Sequence, residues 1–293
     1  MRYLYSTILL CFFLMACDGD HETRVISFKE TEALKIVTLS PHLGEMVYDL
    51  GAEHMLVGVS AYSNHPKAIL QLPQIGDAFM LDLERIALLR PDIILAWEDG
   101  TPARIIDELR NFGYRVEVVK SNRLKDIPLA YKFLGEILGK QEQAKIIANT
   151  YLKDLMKLKE GYETKGSIRV FFQIDERPLF TVGGSHYISE LIQVCGGINI
   201  FTDLPQLAPS VSIESVIIRD PEVILTTTSD PDKNKFELWV RWPGIRANQL
   251  QNLYTINADR LERSTSNLIK AGQEICQKLE QSRMKRFEDI QST

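Results

Sequence analysis

The sequence predicts an α/β protein with two similar lobes, each built on a mainly parallel sheet, and one long helix between them. Two ungapped internal matches indicate the lobes: residues 83–97 align to residues 213–227, and residues 44–52 align to residues 189–197. Because the matched blocks occur in the same order in both halves, the chain carries an internal duplication. A third observation indicates the helix between the halves, since residues 141–160 contain neither glycine nor proline.

The first half opens with a strand at residues 36–39, followed by a helix. Ser40 before Pro41 is typical of an N-cap with proline at the first helical position, and Gly51 predicts the end of that helix. The next strand is expected at residues 56–60. Strands buried on both faces are predicted where the residues are apolar nearly throughout, at 92–97, 114–119 and 222–227.

The second half repeats this order, with a strand predicted at residues 169–174 and a helix that ends at Gly196 and Gly197. Between the halves, apolar residues at 147, 151, 155 and 158 indicate one face of a helix about 30 Å long. A single stiff helix disfavours a large hinge closure. The predicted organisation is a signal peptide at 1–16, a tether at 17–33, an N-terminal lobe at 34–140, a connecting helix at 141–165, a C-terminal lobe at 166–280 and a tail at 281–293.

The N-terminus indicates export. A basic residue precedes a 14-residue apolar run, which is too short to span a bilayer comfortably and has the length of a signal-peptide core. The run ends in a segment that resembles a bacterial lipoprotein signal, which implies cleavage before Cys17 and lipidation of its thiol. Met15 is unusual in such a signal, so a plain signal anchor is the alternative. Asp18 resembles the residue that retains lipoproteins in the inner membrane.

Two cysteines remain once Cys11 is removed with the signal and Cys17 carries lipid. Cys195 and Cys276 both lie in apolar, helical contexts of a protein exported to an oxidising compartment. A disulfide between them would close a loop of about 80 residues and stabilise the fold by roughly 4 kcal/mol. Two buried free thiols are the alternative.

Composition and motifs disfavour several functions. The net charge of −5, with scattered basic residues, argues against a nucleic-acid surface. The sequence contains none of the motifs of serine hydrolases, P-loop nucleotide-binding proteins, zinc proteases or dinucleotide-binding enzymes. His65 and His186 could face a cleft, although exposed loop histidines are the plainer interpretation. The histidines are dispersed, so no metal site is predicted and an enzyme is the poorer hypothesis.

Three aromatic residues lie where strands are predicted to end. Tyr62, Trp97 and Phe180 each follow an apolar run. Ligands of parallel α/β sheets bind beyond the carboxyl ends of the strands, and aromatic faces there suit a large flat or apolar ligand. Any one of the three taken alone is more often a packing residue, but three aromatic residues at equivalent loop positions favour ligand contact.

Several segments, VGVSAYSNHP, LDLERIALLRPDIILAW, ELIQVCGGINIF and SVSIESVIIRDPEVIL, are similar to those of the periplasmic substrate-binding proteins of ABC importers for cobalamin and siderophores. The resemblance covers roughly residues 34–280 and is greatest to the cobalamin-binding members. It implies two Rossmann-like lobes joined by one backbone helix, with the ligand held in the cleft between them. It also implies no catalysis and no cofactor, since such proteins pass their ligand to a membrane permease.

The resemblance also assigns roles to residues. Glu84 and Glu214 match the glutamates, one per lobe, that pair with permease arginines, although carboxylates near helix starts are also favoured by the helix dipole. Cys195 and Cys276 match the disulfide of the family. The residues that match the ligand cleft are Tyr62, Trp97, Phe180 and Asp259.

Two departures from the cobalamin-binding pattern bear on the ligand. Ala78 and Ala208 stand where tryptophans are expected, with Phe79 next to the first. The loss of two stacking surfaces would widen the cleft, so a related corrinoid, a siderophore or haem are alternatives to cobalamin. Trp239 and Trp242 resemble a core-packing segment and are left out of the site.

The sequence therefore predicts a monomeric, lipid-anchored periplasmic protein that delivers a corrinoid to a permease dimer of the inner membrane. An iron–siderophore or haem carrier is the second hypothesis. A periplasmic metal-dependent enzyme using His65, His186 and nearby carboxylates is the third. A basic cleft would favour anionic siderophores, whereas an aromatic and neutral cleft would favour cobalamin.

Overall fold

The computed structural model describes residues 33–78, 80–230 and 234–292, and all structural statements below concern this part of the chain. The predicted signal peptide, Cys17, Phe79 and nearly all of the predicted tether lie outside it. Among the helices that are described, none combines the length and apolar character needed to cross a membrane.

The N-terminal lobe contains a parallel sheet with strand order β2-β1-β3-β4. The strands are β1 (Ile36–Thr38), β2 (Leu56–Val59), β3 (Ile93–Trp97) and β4 (Val116–Val119). The helices of this lobe are α1 (Pro41–Asp49), α2 (Leu83–Leu89), α3 (Ala103–Asn111) and α4 (Asp126–Leu138), with 3-10 turns at Glu53–Met55 and Lys67–Gln71. Helix α1 stops as predicted, with Gly51 just beyond its end at a positive φ of 66°.

The C-terminal lobe repeats this arrangement with one addition. Its strands are β5 (Ile168–Glu176), β6 (Leu179–Thr181), β7 (Gly197–Asn199), β8 (Val223–Thr228) and β9 (Leu253–Asn257). The parallel order β7-β5-β8-β9 is the order of the first sheet, and β6 folds back antiparallel on the far end of β5. The predicted duplication and the α/β fold class are therefore confirmed.

The helices of the second half include several short ones. They are α6 (Tyr187–Val194), α7 (Ile213–Arg219), α8 (Glu237–Val240), α9 (Arg246–Gln249), α10 (Ala258–Leu261) and α11 (Leu268–Ser292). The last helix extends through residues 281–292, which the sequence suggested as a tail. Arg283 explains why: its side chain is buried and donates 2.6 Å hydrogen bonds to the carbonyl oxygens of Gly166 and Cys195.

A single long helix, α5 (Gln141–Tyr162), connects the two lobes. It has 22 residues and buries Ala144, Ala148, Tyr151 and Leu158. One continuous apolar core includes residues of both sheets, of α5 and of α11. The prediction of a connecting helix is confirmed, and the helix is packed against both halves rather than bridging solvent.

Cys195 and Cys276 are joined by a disulfide, as the family resemblance implies. Both residues are fully buried and lie at the end of α6 and within α11. The bond therefore ties the helix that follows β6 to the C-terminal helix. The alternative of two free thiols does not hold in this structure.

Candidate functional site

A cavity of about 440 Å³ lies beyond the carboxyl ends of β1, β2 and β3. Its walls are formed by Leu39, Ser40, Pro41, Ser60, Ala61, Tyr62, Asp77, Ala78, Trp97 and Gly100. This is the edge of a parallel sheet where ligands of α/β proteins bind. Two of the predicted ligand residues, Tyr62 and Trp97, thus face one cavity, and Ala78 lies in the same wall.

The Trp97 indole is fixed in position from several sides. Its Nε1 donates a 3.0 Å hydrogen bond to Asn122 Oδ1, and its ring meets the His42 ring edge-on at 5.1 Å between centroids. The backbone N–H of Trp97 donates to Thr101 Oγ1 at 3.1 Å. The ring packs directly over Gly100, where any Cβ would lie 1.8 Å from Cε3. A flat apolar face is therefore held ready beside the cavity, because only glycine permits this approach.

Tyr62 is presented differently. Its backbone lies in the left-handed region, with φ of 66°, and its side chain is 77% exposed. The turn is held by the Ala61 N–H, which donates to Gly76 O at 2.7 Å, and by a 3.2 Å contact between the Ser60 and Ser63 hydroxyls. A strained backbone conformation of a bulky residue persists only where the surroundings enforce it. The fold thus holds the phenol ring of Tyr62 out of the core at the cavity rim.

Phe180 does not occupy the predicted loop. It lies within β6, is partly buried, and pairs with Asp175 of β5 and Ser210. Its partner Asp175 lies two residues beyond Gln173, the last residue of β5 that pairs with β8. The expectation that three aromatics occupy equivalent loop positions is therefore wrong for Phe180, because the chain turns back on β5 instead of entering a helix.

Asp259 lies in the first turn of α10 and forms an ion pair with Arg263 at 3.1 Å. The same guanidinium donates to Asn64 Oδ1, two residues from Tyr62, and lies 3.4 Å from Glu45 Oε2. Arg263 comes from the second lobe, whereas Glu45 and Asn64 come from the first. The Asp259 carboxylate is thus held beside a buried ion pair that spans the lobes.

Glu45 is the centre of this interlobe contact. It is buried and accepts hydrogen bonds from Thr265 Oγ1 at 2.9 Å and from Asn267 Nδ2 at 2.8 Å, besides Arg263. A buried carboxylate with several donors and a cation is stabilised, whereas removal of one partner leaves an unpaired charge. Residues 263–267, which precede α11, therefore bind the second lobe to the first.

Asp49 forms a second contact of the same kind. Its carboxylate accepts from Tyr131 OH and from Ser266 Oγ, and the Ser266 N–H donates to Tyr131 OH at 3.1 Å. Burial raises the pKa of the Asp49 carboxyl, and the Tyr131 hydrogen bond opposes that rise. Burial likewise raises the pKa of Tyr131 well above its ordinary value, so its hydroxyl stays a donor.

His42 connects the cavity wall to the interlobe contact. Its Nδ1 is bonded to Ser40 Oγ and its Nε2 lies 3.2 Å from Ser121 Oγ, which in turn accepts from Ser264 Oγ at 2.8 Å. Burial, with a smaller contribution from Arg263, lowers the pKa of His42 to about 3. The imidazole is therefore neutral at physiological pH. Ser40 precedes α1 as predicted, but its hydroxyl bonds His42 instead of capping the helix.

His65 and His186, the two histidines of the metal-dependent enzyme hypothesis, lie outside the cavity wall. His186 caps α6, with Nδ1 accepting the Ile188 N–H at 3.1 Å, and burial lowers its pKa to about 4. His65 lies in the loop that follows Tyr62. Within the described ranges, no group of three or more His, Cys, Asp or Glu side chains could hold a metal ion.

Glu84 and Glu214 lie at the second positions of two matching helices, α2 and α7. Asp82 and Ser212 are the N-caps, each accepting the backbone N–H three residues on, at 2.9 and 3.2 Å. Both glutamates are exposed. Backbone hydrogen bonding at the helix start lowers the pKa of the Glu214 carboxyl, so it is ionised at neutral pH.

The remaining residues singled out in the sequence have simpler positions. Ala208 is exposed, near the Ser210 that pairs with Phe180. Trp239 is fully buried and donates from Nε1 to Gln173 Oε1 at 2.6 Å, as a core residue should. Trp242 is 39% exposed, so core packing is wrong for it, because α8 ends at Val240 and the chain turns at the surface.

A family model described as periplasmic binding protein matches residues 36–259, and the chain belongs to that family. It is 32% identical to the vitamin B12-binding protein of Vibrio cholerae over 269 residues, covering 92% of this chain and 97% of that one. The family resemblance read from the sequence is thereby confirmed. Membership of this family also supports a periplasmic location.

Solved structures agree with the sequence comparison. The periplasmic vitamin B12 binding protein BtuF of Vibrio cholerae matches with a TM-score of 0.78 and 31% identity, covering 86% of this chain and 98% of that one. The periplasmic heme-binding protein RhuT of Roseiflexus matches with a TM-score of 0.76 at 19% identity, covering 85% of this chain and 99% of that one. The second match shows a shared fold only.

No motif or spacing in the sequence indicated Arg263, Glu45 or Gly100 as residues of the site. Arg263 and Glu45 are separated by 218 positions, and only folding brings them together. The run of serine, threonine and asparagine at 264–267 was a usable signal, because hydroxyl-rich segments before a helix often satisfy buried polar groups. For Gly100, a single glycine after a strand carries too little information.

Proposed function

We propose that this protein captures cobalamin or a related corrinoid in the cleft between its lobes and delivers it to an ABC importer. Two similarities support the ligand: a relative of 32% identity is a vitamin B12-binding protein, and so is a solved structure of 31% identity over most of the chain. The fold supports the mode of action, because the chain has two like lobes joined by one helix, and ligands of parallel α/β sheets bind beyond the carboxyl ends of the strands.

The composition of the cavity wall is the observation that carries the choice of ligand. Among the described residues, the wall offers Tyr62, Trp97, small residues and hydroxyls, with the carboxylate of Asp77 and no lysine or arginine. Anionic siderophores and haem propionates call for guanidinium or ammonium partners. A wall of this kind instead suits a large ligand with an uncharged, partly apolar surface.

The alanines leave a second candidate. Ala78 lies in the cavity wall and Ala208 is exposed on the other lobe, so two stacking faces expected for a cobalamin site are absent. This favours a corrinoid that is bound in another position, or a corrinoid related to cobalamin. Haem or an iron–siderophore is the second candidate. Catalysis is not part of the proposal, because the protein belongs to a binding-protein family.

Delivery rests on the matched helices of the two lobes. Glu84 on α2 and Glu214 on α7 would each pair with an arginine of one permease subunit, so a monomer of this protein would dock on a permease dimer. The pair is exposed, and its repetition follows the duplication of the fold.

We also propose that Cys17 carries the lipid that anchors the mature protein to the inner membrane. The lipoprotein-like segment before it and the polar residues after it support this. Fractionation tests it: the protein should sediment with inner membranes, and a Cys17→Ala variant should not acquire lipid. Recovery of the unsubstituted protein in the soluble periplasmic fraction would contradict the anchor.

Calorimetric titration with cyanocobalamin tests the ligand. We expect a Kd below micromolar, and a Trp97→Ala variant should bind at least about tenfold more weakly, because one stacking face is lost. Parallel titrations with haem and a ferric siderophore are the controls. No heat with cyanocobalamin and clear binding of haem or the siderophore would replace the corrinoid with the second candidate.

A further inference from the structure

Each docking glutamate has an exposed aliphatic residue one helical turn away. Leu88 follows Glu84 by four residues within α2, and Ile218 follows Glu214 by four residues within α7. Residues four apart on a helix lie on the same face, with Cβ atoms about 5–6 Å apart. The two pairs occupy matching positions of the internal duplication, which sets residue 84 against 214 and residue 88 against 218.

In the part of the chain that the structure describes, these aliphatic side chains belong to none of the apolar clusters. Leu88 is 77% exposed and Ile218 is 83% exposed, whereas Ile86 and Val216 on the opposite faces of the same helices are fully buried. Single exposed aliphatic residues are common and need no explanation. Here the same exposure recurs at both duplicated positions, beside a carboxylate each time.

We propose that Leu88 and Ile218 are the apolar half of the docking surface and insert into two equivalent apolar pockets of the permease dimer, next to its basic residues. This rests on the proposed delivery function. The occupant follows from the chemistry: an ionised carboxylate beside an aliphatic side chain is complementary to a cation beside an apolar pocket, and two copies of this pair match a partner with two-fold symmetry.

The charged and the apolar contacts contribute to permease affinity in different ways. The glutamates attract and orient the permease through charge, an effect that weakens as salt increases. The aliphatic side chains leave water on docking, and full burial of one such side chain is equivalent to roughly a tenfold to hundredfold change in affinity. Binding that persists at high salt therefore depends on Leu88 and Ile218.

Binding of the full-length protein to the cobalamin importer of the same bacterium, held in nanodiscs, tests this. Leu88→Gln and Ile218→Gln should each weaken binding about tenfold, and the double variant roughly a hundredfold, at high salt as well as low. Leu129→Gln and Ile146→Gln are the matched controls, since each replaces an aliphatic residue that is 59% exposed on another helix, and neither should change affinity.

The outcomes separate this inference from the proposed function. Unchanged permease affinity of the Leu88→Gln, Ile218→Gln double variant, together with loss of binding by a Glu84→Ala, Glu214→Ala variant, would overturn the apolar contacts while leaving delivery intact. Permease binding retained in full by the glutamate variant would overturn the docking role of Glu84 and Glu214, and no binding by the unsubstituted protein would overturn the permease as partner. Self-association of the protein that the double variant abolishes would assign the surface to a second copy and refute the inference. Cyanocobalamin titration should be the same for every variant, because the six substituted residues lie outside the cavity wall.

Discussion

Substitution of Gly100 by alanine should displace the Trp97 indole and weaken ligand binding. A Cβ at this position would lie 1.8 Å from Cε3 and 2.3 Å from Cζ3 of Trp97. Ordinary van der Waals contact begins near 3.4 Å, so the ring has to move by about 1.6 Å. His42 packs edge-on against this ring, and the ring lines the cavity, so the displacement changes the cavity wall.

The expected cost follows from two contacts. A shift of that size breaks the 3.0 Å hydrogen bond between Trp97 Nε1 and Asn122 Oδ1, a net loss of about 1 kcal/mol. Misalignment of the stacking face costs about 1 kcal/mol more. Only the second contribution changes the Kd for cyanocobalamin, by roughly fivefold, because the lost hydrogen bond destabilises the free and the bound protein alike.

Calorimetry with cyanocobalamin, alongside tryptophan fluorescence of the free protein, measures this effect. Gly161→Ala is the matched control, because an added Cβ there meets no heavy atom within 4 Å, and its Kd should equal that of the unsubstituted protein. Thermal unfolding of both variants checks that the fold is retained. A Gly100→Ala protein that is folded and binds within twofold of the unsubstituted protein would show that the position of Trp97 does not control affinity.

Two further predictions concern stability. Burial lowers the pKa of His42 from an ordinary 6.5 to about 3. The unfolded chain therefore binds a proton at this residue below pH 6.5, whereas the folded protein binds it only near pH 3. As the pH falls below 6.5, this group should therefore lower the free energy of unfolding by about 1.4 kcal/mol per pH unit, or about 2 kcal/mol between pH 6.5 and pH 5. Urea unfolding at pH 7 and pH 5 measures the decrease in unfolding free energy between the two pH values. This decrease should be about 2 kcal/mol smaller in His42→Gln than in the unsubstituted protein, and an equal decrease in both proteins would refute the role of His42. Replacing Cys195 and Cys276 together by alanine should lower the free energy of unfolding by about 4 kcal/mol, because the bond closes a loop with a separation of 81 residues. Urea unfolding of the double variant measures this, and a loss below about 1 kcal/mol would indicate that the bridge contributes little.

The strands, the connecting helix and the duplication were predictable because each depends on nearby residues. Strands β3 and β8 are buried almost throughout, and each arises from an apolar run after a Pro-centred turn. The same local pattern occurs twice, so alignment of the chain with itself was enough to find the two lobes. The position of Trp97 at a strand end followed from the same reasoning.

Phe180 shows where such reasoning stops. Its sequence context, an apolar residue after a strand and a proline, is shared by loops and by hairpins. Only the pairing of β6 with β5 decides that it lies within a strand. Tertiary contact, not local preference, selects between the two.

The sequence by itself determined the fold class, the family and the repeated pair of glutamates, because periodicity, turn residues and motifs are local and survive divergence. The tertiary structure alone decided which distant polar groups meet. The Glu45 carboxylate accepts hydrogen bonds from Arg263, Thr265 and Asn267, which lie more than 200 positions away in the sequence. This buried contact holds the two lobes together. Such a contact leaves no local pattern, because its energy comes from desolvated charges whose partners only the completed fold supplies.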